Sequence, residues 1–321
     1  MSLVTLLALG PARAGTADTT AAPVLTLATA VAVALDGNPG LAELRARAAA
    51  LAAIPDQHGA LPDPRIAVGA ANLPLDSFDL DQEAMTQLQF GVTQTFPFPG
   101  KLALRERIAT LAADAAAHEV EELKLTLVAD VKVLWWELAY LAESAHIVRQ
   151  NERLMRELIA IARAKYEVGR GLQQDVLLAQ LELSKLRDLA IRVAGRQATT
   201  YAQLGALLAW PAGLRPALPS RIATTLPRLR DDDVLQAAAQ ARPRLAALAS
   251  RIDAAASAVD LAQRELYPDL AVTAGYGVRG GRRADFASLN LSVNVPLFAA
   301  RKQHRAVDQR RAELLARRHA L

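Results

Sequence analysis

The side chains best suited to hold a metal or move a proton are five histidines, at positions 58, 118, 146, 304 and 319. No two of them stand three or four residues apart on one helix, the spacing at which a helix presents paired ligands. No His-Glu-x-x-His, phosphate loop or nucleophile elbow occurs. Gly275-Tyr276-Gly277 and Gly280-Gly281 are too sparse for a phosphate cradle, and their setting suits strand and turn. Asp231-Asp232-Asp233 reads as a helix N-terminus, where carboxylates meet unpaired N–H groups, rather than as a metal site. There is no cysteine, which excludes disulfides, thiolate metal sites and thiol nucleophiles. Trp135-Trp136 and Tyr140 lie mid-helix and are expected to pack between helices rather than to form a stacking platform. The residues thus point to no catalysis, no cofactor and no bound metal. A net charge of +4 over 321 residues is too weak to argue for a nucleic-acid partner.

The elements that carry these residues have two periods. No proline occurs between Gly100 and Pro211. Apolar residues at Val131, Leu134, Leu138, Leu141, Ala145 and Val148 alternate in steps of three and four. The pattern returns at Val176, Ala179, Leu183, Leu186, Ala190 and Val193, as in a coiled-coil seam. A helix over 102–167 would be about 100 Å long and one over 173–209 about 55 Å, at ~1.5 Å per residue. Val168-Gly169-Arg170-Gly171 between them supplies a glycine C-cap and a tight reversal. These residues predict a long antiparallel helical hairpin.

Four segments alternate with period two: from Ile66 to Ala70, Leu88 to Phe96, Leu270 to Val278 and Leu289 to Val295. Each has one apolar face and one small or polar face, and runs up to about ten residues, the requirement for a transmembrane barrel strand. Ordinary amphipathic hairpins over a soluble core have the same pattern. An internal repeat favours the barrel. Pro64-Arg65-Ile66-Ala67-Val68 matches Pro268-Asp269-Leu270-Ala271-Val272 at an offset of 204, and Asn38-Pro39-Gly40-Leu41 matches Arg242-Pro243-Arg244-Leu245 at the same offset. Phe96-Pro97-Phe98 matches Val295-Pro296-Leu297 at 199. The expected organisation is a signal peptide over 1–14, ending at Ala12-Arg13-Ala14, a first repeat over 25–209, a proline-rich linker over 210–227, and an incomplete second repeat over 228–321. No stretch reaches the ~18 apolar residues of a spanning helix. Four strands cannot close a barrel, which takes ~8, and an open edge in lipid leaves backbone groups unpaired. Several chains would have to share one barrel.

With these motifs in order, the chain resembles the TolC-type outer membrane efflux proteins. The resemblance covers about residues 25–321. It rests on the repeat, on Asn38-Pro39-x-Leu41 and Leu61-Pro62-Asp63-Pro64, and on Gln94-Thr95-Phe96-Pro97-Phe98-Pro99-Gly100-Lys101-Leu102. It rests also on the hairpin from Lys165 to Gln180 and on Val295-Pro296-Leu297-Phe298. The Phe-Pro-Phe-Pro-Gly-Lys-Leu form is more similar to the branch associated with heavy-metal cation pumps than to the drug-exporting branch.

The resemblance implies a mainly α fold with β: a long coiled-coil hairpin plus four transmembrane strands per chain. Three chains would form a 12-stranded barrel, in contact with outer membrane lipid, that continues into a helical tunnel in the periplasm of a Gram-negative bacterium. The implied function is passive export, of heavy-metal cations or small toxic compounds, with a periplasmic adaptor and an inner-membrane pump of the resistance-nodulation-division type. The family's second hairpin would follow residue 321, so the chain is expected to be a truncated member. The hairpin tip, with Val168, Gly169, Gly171, Leu172 and Asp175, would meet the adaptor. Pro97, Pro99, Gly100 and Pro296 would mark the strand-to-helix junctions. The strand-connecting loops carry Asp76, Asp79, Asp81 and Glu83 in one and Arg279, Arg282 and Arg283 in the other. They are expected to lie on the same outer side, where pairing within or between subunits that restricts the mouth competes with solvated, independent loops, since exposed pairs contribute little. Phe90, Phe96, Tyr267 and Tyr276 suit a membrane interface. A soluble periplasmic coiled-coil protein like the adaptor is the competing expectation.

Overall fold

The structure is a computed structural model, and it describes residues 24–219 and 231–320. The expected signal peptide lies outside the described residues. So does the end of the linker. In chain order the elements are α1 (Leu27–Gly37), α2 (Pro39–Ala52), α3 (Ile54–Gly59), β1 (Arg65–Ala71), β2 (Gln87–Phe96), α4 (Lys101–Glu167) and α5 (Gln173–Leu207). They continue with α6 (Asp231–Ala241), α7 (Pro243–Arg264), β3 (Leu270–Val278), β4 (Phe286–Val293) and α8 (Gln303–Arg318). The chain divides into two compact units, one of residues 1–38 and 128–226, the other of 39–127 and 227–321.

In the first unit Asn38, just after α1, donates to the Leu207 carbonyl at the end of α5 at 2.9 Å. Of the expected stripes, Val131, Leu138, Leu141 and Val148 of α4 and Leu183 of α5 are buried and the other positions half-buried, and α5 also buries Thr200 and Leu204 beyond the expected stripe. The 3,4 spacing puts them on one stripe per helix, and burying that stripe holds a pair of helices too polar elsewhere to be core. Thr26 caps α1 by accepting from the Thr29 N–H at 3.1 Å. The indole N–H of Trp135 donates to the Leu25 carbonyl at 3.0 Å, and the Leu25 N–H donates to the Ala217 carbonyl at 2.8 Å. These bonds tie the chain on both flanks of the hairpin to its middle. The aromatic cluster divides differently from the expectation. Trp135 is 3% exposed, but Trp136 is 42% and Tyr140 69% exposed. Within the chain only Trp135 packs between helices, because the other two face away from the α4–α5 stripe.

In the second unit the four strands form one antiparallel sheet of order β1-β2-β3-β4. β2 of the first repeat pairs with β3 of the second through Phe90↔Tyr276, Thr93↔Thr273 and Phe96↔Leu270. β4 starts three residues earlier than its alternation suggested and stops before Val295. Pro296 follows, and its missing N–H ends pairing there. The helical part is packed on small residues: Ala109, Ala115, Ala116, Ala247 and Ala262 are buried beside Leu41, Val259 and Val307. Alanine lets helix backbones approach closely, which is why so little aromatic content suffices. Across α4 and α7, Arg242 bonds Glu122 at 2.8 Å and Arg251 bonds Glu119. The Arg242 hydrogen bond holds the Glu122 carboxyl below the usual range, despite a smaller opposing effect of desolvation. Among the described residues no helix is long and apolar enough to cross a membrane.

Candidate functional site

Each strand alternates, so the register sorts the side chains of the sheet into two faces. One face carries Ile66 and Val68, then Leu88, Phe90 and Val92, then Leu270, Val272 and Tyr276, then Leu289, Leu291 and Val293. Its residues are exposed in the single chain: Ile66 by 75%, Phe90 by 47% and Leu289 by 72%. A contiguous apolar face of this extent, if left in water, marks a surface built for a membrane or a partner. The opposite face is small and polar: Ala67 and Gly69, Gln89, Gly91 and Thr93, Thr273, Gly275 and Gly277, Ser288 and Asn290. The hydroxyls of Thr93 and Thr273 bond each other at 2.8 Å across the central pair. Among the described residues, the outer edges of β1 and β4 have no strand beside them.

Where β2 becomes α4, the expected junction residues Pro97, Pro99 and Gly100 lie together with a cluster that sequence reasoning missed. Lys101, 4% exposed, donates from Nζ to Asp269 Oδ1 at 2.7 Å and to the Tyr267 carbonyl at 2.8 Å. The Phe98 N–H donates to the same Asp269 oxygen at 2.8 Å, and the Phe98 ring stacks on Tyr267 with centroids 4.6 Å apart. Arg264 donates to the Pro99 carbonyl at 2.7 Å and lies over Gly100, whose φ of +86° and lack of Cβ make room for it. Burial pushes the Asp269 carboxyl up, but the bonds from Lys101 and Phe98 outweigh it and the group lies below the ordinary range. The cluster clamps the turn after β2 to the turn before β3. A base at the first residue of α4 and an acid just before β3 were the signal, legible only once β2 and β3 were known to be neighbours. Pro296, the matching junction in the second repeat, follows β4 with no corresponding ion pair among the described residues.

At the hairpin tip the Arg170 N–H donates to the Lys165 carbonyl at 2.8 Å and the Gly169 N–H to the Tyr166 carbonyl at 3.0 Å, with Gly169 at φ +69°. This pair of bonds is a Schellman C-cap. Leu172 precedes α5 as its extended N-cap, and Asp175 lies in the first turn, where a carboxylate suits the helix dipole. Val168 and Leu172 are exposed by 68% and 66%. Gly171 lies against Lys165 and Tyr166, whereas Gly169 has open space beside it.

The two strand-connecting loops do meet, through backbone rather than through opposite charges. Arg283 donates to the Asp81 and Glu83 carbonyls at 3.3 and 3.1 Å, and Arg279 to the Ala84 carbonyl at 3.4 Å. Arg279 also lies 3.9 Å over the Phe286 ring. Asp81 packs against Gly280, Asp79 accepts from the Asp81 N–H at 2.9 Å, and Asp76 accepts from Gln82 at 3.4 Å. Arg282, at φ +60°, forms no ion pair among the described residues. Asp285 accepts from the Tyr276 hydroxyl at 2.6 Å and from the Arg279 N–H at 3.1 Å, and these bonds, Tyr276 foremost, hold its carboxyl below the usual range. Among the described residues no group of three or more His, Asp or Glu is placed to hold a metal ion.

Residues 30–209 match the family model described as outer membrane efflux protein. The chain belongs to the outer membrane efflux protein family. CyaE of Bordetella pertussis is 26% identical over 223 residues, which are 65% of this chain and 46% of CyaE. MdtQ of Shigella flexneri, an outer membrane protein, is 28% identical over 167 residues, 51% of this chain and 34% of MdtQ. The chain thus spans less than half the length of these relatives. Among solved structures, the outer-membrane channel OprN superposes with a TM-score of 0.73 at 18% identity, over 97% of this chain and 78% of OprN. VceC from Vibrio cholerae superposes with 0.72 at 20% identity, over 92% and 74%. These likenesses establish the fold as that of the family's outer membrane channels. Outer membrane localisation follows from family membership.

Proposed function

We propose that three copies of this subunit close a 12-stranded barrel in the outer membrane. The barrel, with a helical tunnel in the periplasm, serves as the passive exit duct of a tripartite efflux system. The observation that carries this reading is the sheet: an exposed apolar face, a small polar face and two unpaired edges. In water the apolar face is a liability, and in lipid the edges leave N–H and C=O groups unpaired at several kcal/mol each. Closure by further copies relieves both. The internal repeat supplies the register, since β4 stands to the next copy's β1 as β2 stands to β3. Carrying the repeat offsets of 199 and 204 residues onto the β2–β3 ladder pairs Val293 with Val68 and Ser292 with Gly69. Apolar then meets apolar on one face, and small meets small on the other. A soluble adaptor-like protein would leave the apolar face uncovered.

The hairpin tip around Gly169 and Gly171 is the surface for a periplasmic adaptor, with an inner-membrane pump of the resistance-nodulation-division type as the source of substrate. Such a duct carries what its pump delivers. The junction sequence from Phe96 to Leu102 puts heavy-metal cations beside small toxic compounds as candidates. The deciding experiment is outer membrane fractionation with heating in detergent. A trimer that dissociates only on heating supports the duct, and a monomer in the soluble periplasmic fraction refutes it. Sensitivity of a deletion strain to metal salts against organic toxicants separates the two substrate classes.

A further inference from the structure

In β1, β2, β3 and β4 together, Arg65 is the only charged side chain. It is the first residue of β1, and by strand alternation it shares the face of Ala67 and Gly69. The register places it in one row with Thr93, Thr273 and Asn290. Thr93 and Thr273 satisfy each other. The Arg65 side chain is exposed and has no ion pair or side-chain hydrogen bond among the described residues. At the matching position of the second repeat stands Asp269, whose charge Lys101 already meets at 2.7 Å. The two repeats therefore differ in one respect: the second carries a neutralised charge at its strand start, and the first carries a free cation.

The opposite end of the sheet has the other sign. The loop over 72–86 holds four carboxylates and no base, and the loop over 279–285 holds three arginines and one carboxylate, which leaves −2 per chain. Arg65 lies seven residues from the start of the first loop, about 23 Å along the strand at ~3.3 Å per residue. It is a separate charge from those of the mouth.

We propose that Arg65 is the charge-selecting residue of the duct. This rests on the reading above, in which the polar face lines the lumen of a barrel shared by three copies. Three guanidinium groups then form a ring at the helix end of the barrel, and rings of arginine or lysine favour anions as rings of carboxylates favour cations. At one Debye length, about 10 Å in 0.1 M salt, three unit charges in water enrich an anion about twofold and deplete a cation equally. The anion-to-cation ratio shifts about fourfold. Of the two substrate classes, the ring favours small anionic compounds over bare metal cations.

The test is the reversal potential of the purified chain in neutral phosphatidylcholine bilayers under a KCl gradient. Arg65→Gln is expected to lower the chloride-to-potassium permeability ratio about fourfold near 0.1 M salt, and Arg65→Glu to lower it further. The effect fades at 1 M, where the Debye length is about 3 Å. Arg65→Lys keeps the charge and is expected to keep the wild-type ratio, which separates charge from any packing role. Stepwise conductance with the same ratio in Arg65→Gln and wild type would overturn this inference alone. Absence of any stepwise conductance in wild type would overturn the duct reading, and this inference with it.

Discussion

Replacing Lys101 with methionine keeps the aliphatic stem of the clamp and removes its charge. The amine of Lys101 makes two short bonds, to Asp269 at 2.7 Å and to the Tyr267 carbonyl at 2.8 Å, from a side chain 5% exposed. Breaking one side of a buried pair costs about 3–5 kcal/mol, because the remaining charge is left desolvated. Asp269 is 29% exposed and keeps the Phe98 N–H, so water and that bond recover part of the loss. The expected destabilisation is about 2–3 kcal/mol. Asp269→Leu added to Lys101→Met removes the stranded carboxylate, and the two changes together are expected to cost less than their sum, with a coupling of about 1–2 kcal/mol.

The pH dependence has a definite sign. The Asp269 carboxyl lies below its unfolded value, so the folded state holds the ionised form more firmly. That contribution is full above the unfolded value of about 3.9 and is lost as pH falls through the lower folded one. The stability gap between wild type and Lys101→Met should be flat from neutrality to about pH 5 and should close in stronger acid. Urea unfolding followed by helical circular dichroism at several pH values measures both. A variant within about 0.5 kcal/mol of wild type would show that the clamp is incidental, as would a gap that widens in acid.

Three further outcomes are expected. The chain has no cysteine, so Ser292→Cys with Gly69→Cys should give an oxidised ladder of dimers and trimers. Directly opposite Cα atoms lie about 4.5–5.5 Å apart, within disulfide reach. Ser292→Cys with Ala71→Cys, one diagonal step off, should cross-link poorly, and equal yields would refute the register. Gly169→Ala should destabilise the hairpin by about 1 kcal/mol, since φ there is +69°. Gly195→Ala, inside α5 with equally open space, should stabilise it by up to about 1 kcal/mol, as read by thermal melting. Arg283→Ala should speed proteolytic cleavage within 72–86 because it frees the Asp81 and Glu83 carbonyls, whereas Arg282→Ala should leave cleavage unchanged.

Much of the fold was legible because its elements are written in short-range periods. The 3,4 spacing around Val131 and Leu183 predicted the buried stripes, and Gly169 the cap. The alternation over 66–70, 88–96 and 270–278 placed β1, β2 and β3 within a residue or so. β4 was the exception, because Phe286 on the small face interrupts its pattern. The candidate site was less legible. Pro97, Pro99 and Gly100 announced a junction, but the residues that hold it come from both repeats. Opposite charges in the two loops suggested carboxylate pairing, yet Arg279 and Arg283 reach carbonyls of the first loop, while Asp76 and Asp79 accept from groups within their own loop and Asp285 from Tyr276 and Arg279.

By itself, then, the sequence determined the helices, the strands, the repeat and the two faces of each strand, because each depends on neighbours a few residues apart. Only the tertiary structure decided that β2 lies beside β3, that Lys101 meets Asp269 across 168 residues, and that Trp135 rather than Trp136 is buried. Those outcomes depend on strand register and helix rotation. Both are set by the packing of whole faces, so no local pattern contains them. The same holds for Arg65: its type was plain from the start, but its isolation on an otherwise uncharged face became visible only when four separate strands were laid edge to edge.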